Sequence, residues 1–188
     1  MDVASFQSTR KRVLHTSFVV KDIYESIQGF LDLYGIGPWF VFEHYPMKDL
    51  KYRGSPAALD FTVAVAYSGG MAVELIQQND DGPSAYKDVV SERGYGFHHF
   101  ALASYDFDRD LAHYRQHGLA VVNEGASPAD HGGGRAAYVD TSAKLFGMTE
   151  LMEIVPELAS ALTEMQATAA NWDGTDPIRV QKFGGDGK

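Results

Sequence analysis

Short apolar runs alternate with polar breaks along this chain, and the order of the breaks repeats. Positions 13–20 form a run rich in β-branched residues with one His inside it, which predicts a strand. Lys21-Asp22 ends the run, and the Asp22 carboxylate is placed to accept from the free N–H groups of a following helix. Ile23, Ile27, Phe30 and Leu31 recur at helical spacing, predicting an amphipathic helix over 23–33 that ends at Gly35 and Gly37 ahead of Pro38. Strands are predicted at 39–45, 59–67 and 71–77, the last two joined by the turn Ser68-Gly69-Gly70. Positions 46–56 read as a polar loop.

The pattern then restarts. A linker at 79–83 and a short helix at 84–92 lead to a strand at 97–104, which again carries a His and again meets an acidic break, at Asp106. Phe107, Leu111 and Tyr114 mark a helix closing at His117-Gly118. Strands follow at 119–123, 135–140 and 147–155, around a glycine-rich loop at 125–134. Each half reads β-α-β-β-β, so the fold class is α+β with an internal duplication. A first module spans 13–78, a linker helix 79–94 and a second module 95–155. Beyond Pro156 an Ala-rich helix is predicted over 157–170. Positions 171–188 read as an extended tail that packs on the surface, packs on a second subunit or stays disordered. Segment 1–12 is short and polar, without the apolar core of a secretory signal.

The duplication reaches the chemistry. Laying Val13-Leu14-His15-Thr16-Ser17 over Phe97-His98-His99-Phe100-Ala101 matches His15 with His99, and Asp22 then falls on Asp106. Laying Val73-Glu74-Leu75-Ile76 over Thr149-Glu150-Leu151-Met152 matches Glu74 with Glu150. Strand alternation puts His15, Ser17 and Val19 on one face, and His99, Ala101 and Ala103 on its counterpart. Phe100 and Leu102 take the other face and are expected under a helix. His98 also faces away from His99 and reads as structural. A carboxylate half-buried in such a run costs several kcal/mol if left alone, and two facing each other repel. A divalent cation removes both penalties. Two imidazoles and two carboxylates suit Zn, Ni, Co, Fe or Mn and disfavour Ca. Glu153 competes with Glu150, but lies three residues on and faces the opposite side, and the shared Glu-Leu step favours Glu150.

Composition narrows the picture by exclusion. Apolar residues make up 45% and charged residues 22%, an ordinary globular balance. A net charge of −9 argues against nucleic acid held through its phosphates. The absence of cysteine removes disulfides, iron–sulfur clusters, thiolate zinc sites and Cys nucleophiles. No run approaches the roughly 18 apolar residues that span a membrane, so a cytoplasmic location is expected. The cluster His131-Gly132-Gly133-Gly134-Arg135 lacks phosphate-loop spacing and reads as a hairpin loop. Trp39, His44, Tyr45, Tyr67 and Tyr105 are candidates to line a substrate pocket.

His on the first strand and Glu on the last, repeated after a second β-α-β-β-β unit, resembles the vicinal oxygen chelate superfamily. That group includes glyoxalase I, methylmalonyl-CoA epimerase, extradiol dioxygenases and bleomycin- or fosfomycin-resistance proteins. The resemblance runs over about 13–155, and Gly96-Phe97-His98-His99-Phe100 is especially similar to the second-module strand of the epimerases. It implies a mixed sheet curled into a cup, holding one divalent metal through His15, Glu74, His99 and Glu150. It further implies a small-molecule substrate chelated through two neighbouring oxygens, an enediolate-type anion, and Glu150 or Glu74 as the group that moves the proton. The activity implied is that of a lyase or isomerase, in a homodimer. The alternatives are an Fe(II) ring-cleaving dioxygenase using His15, His99 and Glu150, against which Glu74 counts as a fourth ligand, and a non-catalytic binding or resistance protein. Phe146-Gly147-Met148-Thr149 departs from the Gly-His-Tyr common in such proteins before the last strand. Nothing in the chain supports transfer of glutathione- or coenzyme A-binding residues.

Overall fold

The computed structural model describes residues 12–128 and 133–182. Its first half runs β1 (Val13–Val19), α1 (Ile23–Tyr34), β2 (Trp39–Phe42), β3 (Lys48–Tyr52), β4 (Ser55–Pro56), β5 (Phe61–Ser68) and β6 (Met71–Gln78). Helix α2 (Ala85–Arg93) leads to β7 (Gly96–Ser104), α3 (Phe107–Gln116), β8 (Val121–Ala126), β9 (Arg135–Val139) and β10 (Met148–Glu153). Helix α4 (Pro156–Ala170) and β11 (Ile178–Val180) follow. The caps form where the acidic breaks stand: Asp22 accepts from the Glu25 N–H at 2.9 Å, and Asp106 from that of Arg109 at 3.3 Å.

All eleven strands of the described residues join one mixed, curled sheet in the order β11-β2-β5-β6-β1-β7-β10-β9-β8-β3-β4. The two halves, β2-β5-β6-β1 and β7-β10-β9-β8, meet within the chain at the antiparallel β1–β7 pair. Each half has one parallel pair, β1 with β6 and β7 with β10. On the convex side α1 buries Ile23 and Ile27 against Trp39, Val41, Ala64, Ala66 and Leu75. Likewise α3 buries Phe107 and Leu111 against Ala137, Val139 and Leu151. The concave side is left to a cavity, with α2 packed near the end of β6 and α4 near its start.

Three expectations change, and that for the tail becomes specific. Segment 46–56 is not a loop: β3 and β4 form a hairpin, and β3 pairs with β8, Lys51 opposite Glu124. This first-half excursion therefore satisfies the backbone at the edge of the second half. Phe100 does not lie under a helix, because α3 sits over β9 and β10; Phe100 is 48% exposed and packs on Phe97. The tail contributes β11, parallel to β2, with Ile178 packed against the core beneath α1. His98 does not face away from His99. The β1–β7 register shifts between Ser17 and Phe18, making His98 the extra residue of a β-bulge that turns it inward. Segment 1–11, the His131-Gly132 part of the glycine cluster and residues 183–188 lie outside the described residues. Among the described residues, no helix is long and apolar enough to cross a membrane.

Candidate metal centre

Pairing register alone assembles the centre. Ser17 pairs with Glu74 on one side and with His99 on the other. Ala101 pairs with His15 on one side and with Glu150 on the other. Two adjacent rows thus carry one His and one Glu each, with a small side chain between them, and the four long side chains converge above Ser17 and Ala101. His15 Nε2 lies 3.1 Å from His99 Nε2, 3.4 Å from Glu74 Oε2 and 3.2 Å from Glu150 Oε2. His99 Nε2 lies 3.6 Å from Glu74 Oε2 and 3.2 Å from Glu150 Oε2. Neighbouring ligands about 2.1 Å from a shared ion stand roughly 3.0–3.4 Å apart, close to the His–His and His–Glu separations here. Apart from the imidazoles, both Oε2 atoms are buried without a hydrogen-bond partner, a costly arrangement for carboxylates that share no cation. Among the described residues, His15, Glu74 and His99, without Glu150, satisfy the mutual spacing of metal-ligating groups.

Electrostatics point the same way. Burial opposes charge on His15, but Glu74 and Glu150 outweigh it and push its pKa up to about 10, so a proton there supplies positive charge to the carboxylates. Burial likewise opposes charge on Glu150, yet the two imidazoles hold it well below the usual carboxylate range. His98 behaves oppositely. Burial and then the neighbouring His99 push it down to about 3, so it is neutral. Its Nε2 lies 3.2 Å from the Ala85 carbonyl, and its Nδ1 lies 2.7 Å from His99 Nδ1. A carbonyl only accepts, so His98 Nε2–H donates to it and His98 Nδ1 accepts from His99 Nδ1–H. That assigns the tautomer of His99 and leaves its Nε2 lone pair aimed at the cluster. Gly147 keeps this corner in place. A Cβ there would stand 2.6 Å from the His98 carbonyl oxygen and 2.5 Å from the Phe97 ring, so glycine at this position has a packing reason.

A cavity of about 870 Å³ opens above the cluster. Tyr86 from α2 and Tyr138 from β9 reach into it with hydroxyls 3.0 Å apart, and Tyr138 packs on the His99 ring at 4.9 Å. Burial raises both phenols well above their ordinary range, so both stay protonated. One hydroxyl proton serves the pair and the other is free to donate.

The structure thus brings His15, Glu74, His99 and Glu150 together. Glu153 turns away and binds the Arg135 guanidinium at 2.8–2.9 Å. Tyr45, Tyr67 and Tyr105 line the cavity. Trp39 does not: it is buried under α1, its indole N–H donating to the Ile36 carbonyl. His44 sits outside, 2.8 Å from Asp60. Sequence reasoning missed Tyr86 and Tyr138. Tyr138 stands opposite Glu150 in the register, but Tyr86 comes from the linker helix, where no periodicity marks it.

Residues 14–138 match the glyoxalase/bleomycin resistance protein/dioxygenase superfamily. The chain belongs to that superfamily. The matched stretch holds His15, Glu74 and His99 and stops short of Glu150. Among solved structures, a hypothetical protein from Bacillus halodurans C-125 is similar at TM-score 0.55 and 16% identity, over 78% of this chain and 96% of that one. Methylmalonyl-CoA epimerase from Mycobacterium tuberculosis is similar at TM-score 0.52 and 18% identity, over 79% and 91%. At such identity the likeness is one of fold. No curated protein matches the chain.

Proposed function

We propose that this member of the superfamily is a divalent-metal-dependent isomerase, epimerase or lyase acting on a small molecule with two neighbouring oxygens. The observation that carries the reading is the meeting of two imidazoles and two carboxylates from four strands, with both Oε2 atoms otherwise unpartnered. His15, Glu74, His99 and Glu150 would hold the ion, which when bound supplies Lewis-acid charge to the substrate oxygens. The chain's own residues do the rest. His98 orients the His99 ring through the Nδ1–Nδ1 contact. Glu74, at 3.4 and 3.6 Å from the imidazoles against 3.2 Å for Glu150, is the more loosely held carboxylate and the better proton carrier to and from the carbon beside those oxygens. The free hydroxyl proton of the Tyr86–Tyr138 pair donates to negative charge developing on the substrate.

A second reading has one observation in its favour. His15, His99 and Glu150 form the tighter subset, at 3.1–3.2 Å, which is a facial triad for Fe(II) ring cleavage. Glu74 in the same cluster counts against it, and oxygen uptake with catechols separates the two. The leading reading includes a homodimer, which sedimentation checks.

The deciding experiment is elemental analysis of protein purified without chelator, beside His15→Ala and Glu150→Gln. Near one divalent metal per wild-type chain, lost in both variants, is the expected result. Equal, substoichiometric metal in all three overturns the assignment.

A further inference from the structure

The inner walls of the cavity differ in kind. On β2 and β5 they are Phe40, Phe42, Phe61, Val63, Val65 and Tyr67, with the Tyr67 hydroxyl, turned to the Leu162 carbonyl, the one polar side-chain atom among them. On the corresponding strands β8 and β9 they are Asn123, Gly125, Ala136 and Tyr138. Helix α4 adds Leu158, Leu162 and Met165 to the lining. It is tied to the β5–β6 hairpin by Tyr67 Oη donating to the Leu162 carbonyl at 3.2 Å and Gln166 Nε2 donating to the Gly69 carbonyl at 3.4 Å. None of its side chains is buried, so its apolar face meets the cavity half-exposed. Burial of apolar area is therefore incomplete on α4 itself, and an apolar occupant would complete it.

Charge in the lining is balanced away from the cluster. Arg12, Arg179 and Lys182 stand against Glu124, Glu157 and Glu164 among the described residues. Arg179 is also engaged over the Phe40 ring, at 6.0 Å. A phosphorylated carrier calls for a surplus of cations, and this lining has none. The volume of about 870 Å³ lies in the range of roughly 300–1,000 Å³ that takes a drug-sized molecule.

We propose that the site takes an uncharged, ring-bearing hydrocarbon compound with two neighbouring oxygens at one end, its oxygens at the His–Glu cluster and its ring between the Phe42–Val65 wall and α4. The oxygen end of this inference rests on the metal-centre reading; the hydrocarbon end rests on the cavity alone.

Calorimetry on zinc-loaded protein tests both ends with three probes: tropolone, a compact chelator through two neighbouring oxygens, its 5-phenyl derivative and its 5-sulfonate. The phenyl group is expected to tighten binding by about ten-fold or more, and the sulfonate to bring no gain. Leu162→Glu is expected to abolish the phenyl gain while zinc content and tropolone affinity stay put. If tropolone binds and the phenyl group adds nothing, or the sulfonate adds as much, the inference is overturned and the metal reading stands. A phenyl gain that survives Leu162→Glu also overturns it, because the ring then lies away from α4. If only the phenyl compound binds, equally without zinc, the metal reading falls and the apolar site stands. If neither binds, both fall.

Discussion

The two halves share a backbone plan and differ in what they put on it. Each has a β-bulge at the residue before its cluster histidine: Leu14 in the first half and His98 in the second. Each has a small residue two places after that histidine, Ser17 and Ala101, beneath the converging side chains. Opposite its cluster glutamate each has a β-strand residue, Val65 in the first half and Tyr138 in the second. At two of these three pairs the second half is the more polar. The exception is Ser17, whose buried hydroxyl has no partner while Ala101 has none to satisfy. Duplication explains why four donors meet; divergence explains how one half came to carry the polar side chains beside them while the other carries a mainly apolar wall.

The largest test of this comparison removes one carboxylate from each half. Glu150 lies 3.2 Å from both imidazoles, while Glu74 lies 3.4 and 3.6 Å away. Glu150→Gln is therefore expected to lose stoichiometric metal, and Glu74→Gln to keep a measurable share of it while losing turnover. Metal content by elemental analysis decides, and equal loss in both would erase the distinction. Next comes His98→Leu, which gives the second half the bulge residue of the first. It removes the acceptor for His99 Nδ1–H, and loss of such an outer partner weakens metal binding by roughly 10–100-fold. Competition against a fluorescent chelator measures it, and unchanged affinity would show that His99 needs no partner.

Much of this was legible in the sequence, for reasons that also explain what was not. The βαβββ order and the four cluster residues came from local signals: period-two runs, Asp caps, and a repeated His and Glu. The bulges did not, because a single extra residue flips side-chain parity without any composition mark. His98 was thus read on the wrong face, and Leu14 joins the cavity lining unannounced. Strand β3 was missed because its partner β8 is about 70 residues away, and its Lys-Asp-Leu-Lys-Tyr stretch lacks the β-branched run of an interior strand. Strand β11 is three residues long and exists because Ile178 finds the core beside β2.

Gly147→Ala is the third test in size. The added Cβ would meet the His98 backbone oxygen, which has no flexible end to move aside. A loss of about 1–3 kcal/mol is expected by urea unfolding, together with weaker metal binding, because the His98–His99 corner must shift. Stability lost with metal affinity intact would uncouple that corner from the cluster.

The smallest effect compares the residues three places beyond each cluster glutamate. In the first half Gln77 Oε1 accepts from the Ile23 N–H at 2.8 Å, a neutral cap on α1. In the second half Glu153 binds Arg135, and that guanidinium holds its carboxyl below the usual range. Because the folded-state pKa is depressed, the stabilisation is present above the unfolded value of about 4.3 and is lost as pH falls through the folded one. Arg135 is partly exposed and shared with Asp108, so solvent screening limits the pair to below about 1 kcal/mol. Arg135→Gln should therefore cost stability at pH 7 and progressively less as pH falls below about 4.3, whereas Gln77→Ala should cost the same throughout. Parallel pH profiles for the two variants would mean that the second half gained a packing contact there rather than a charge pair.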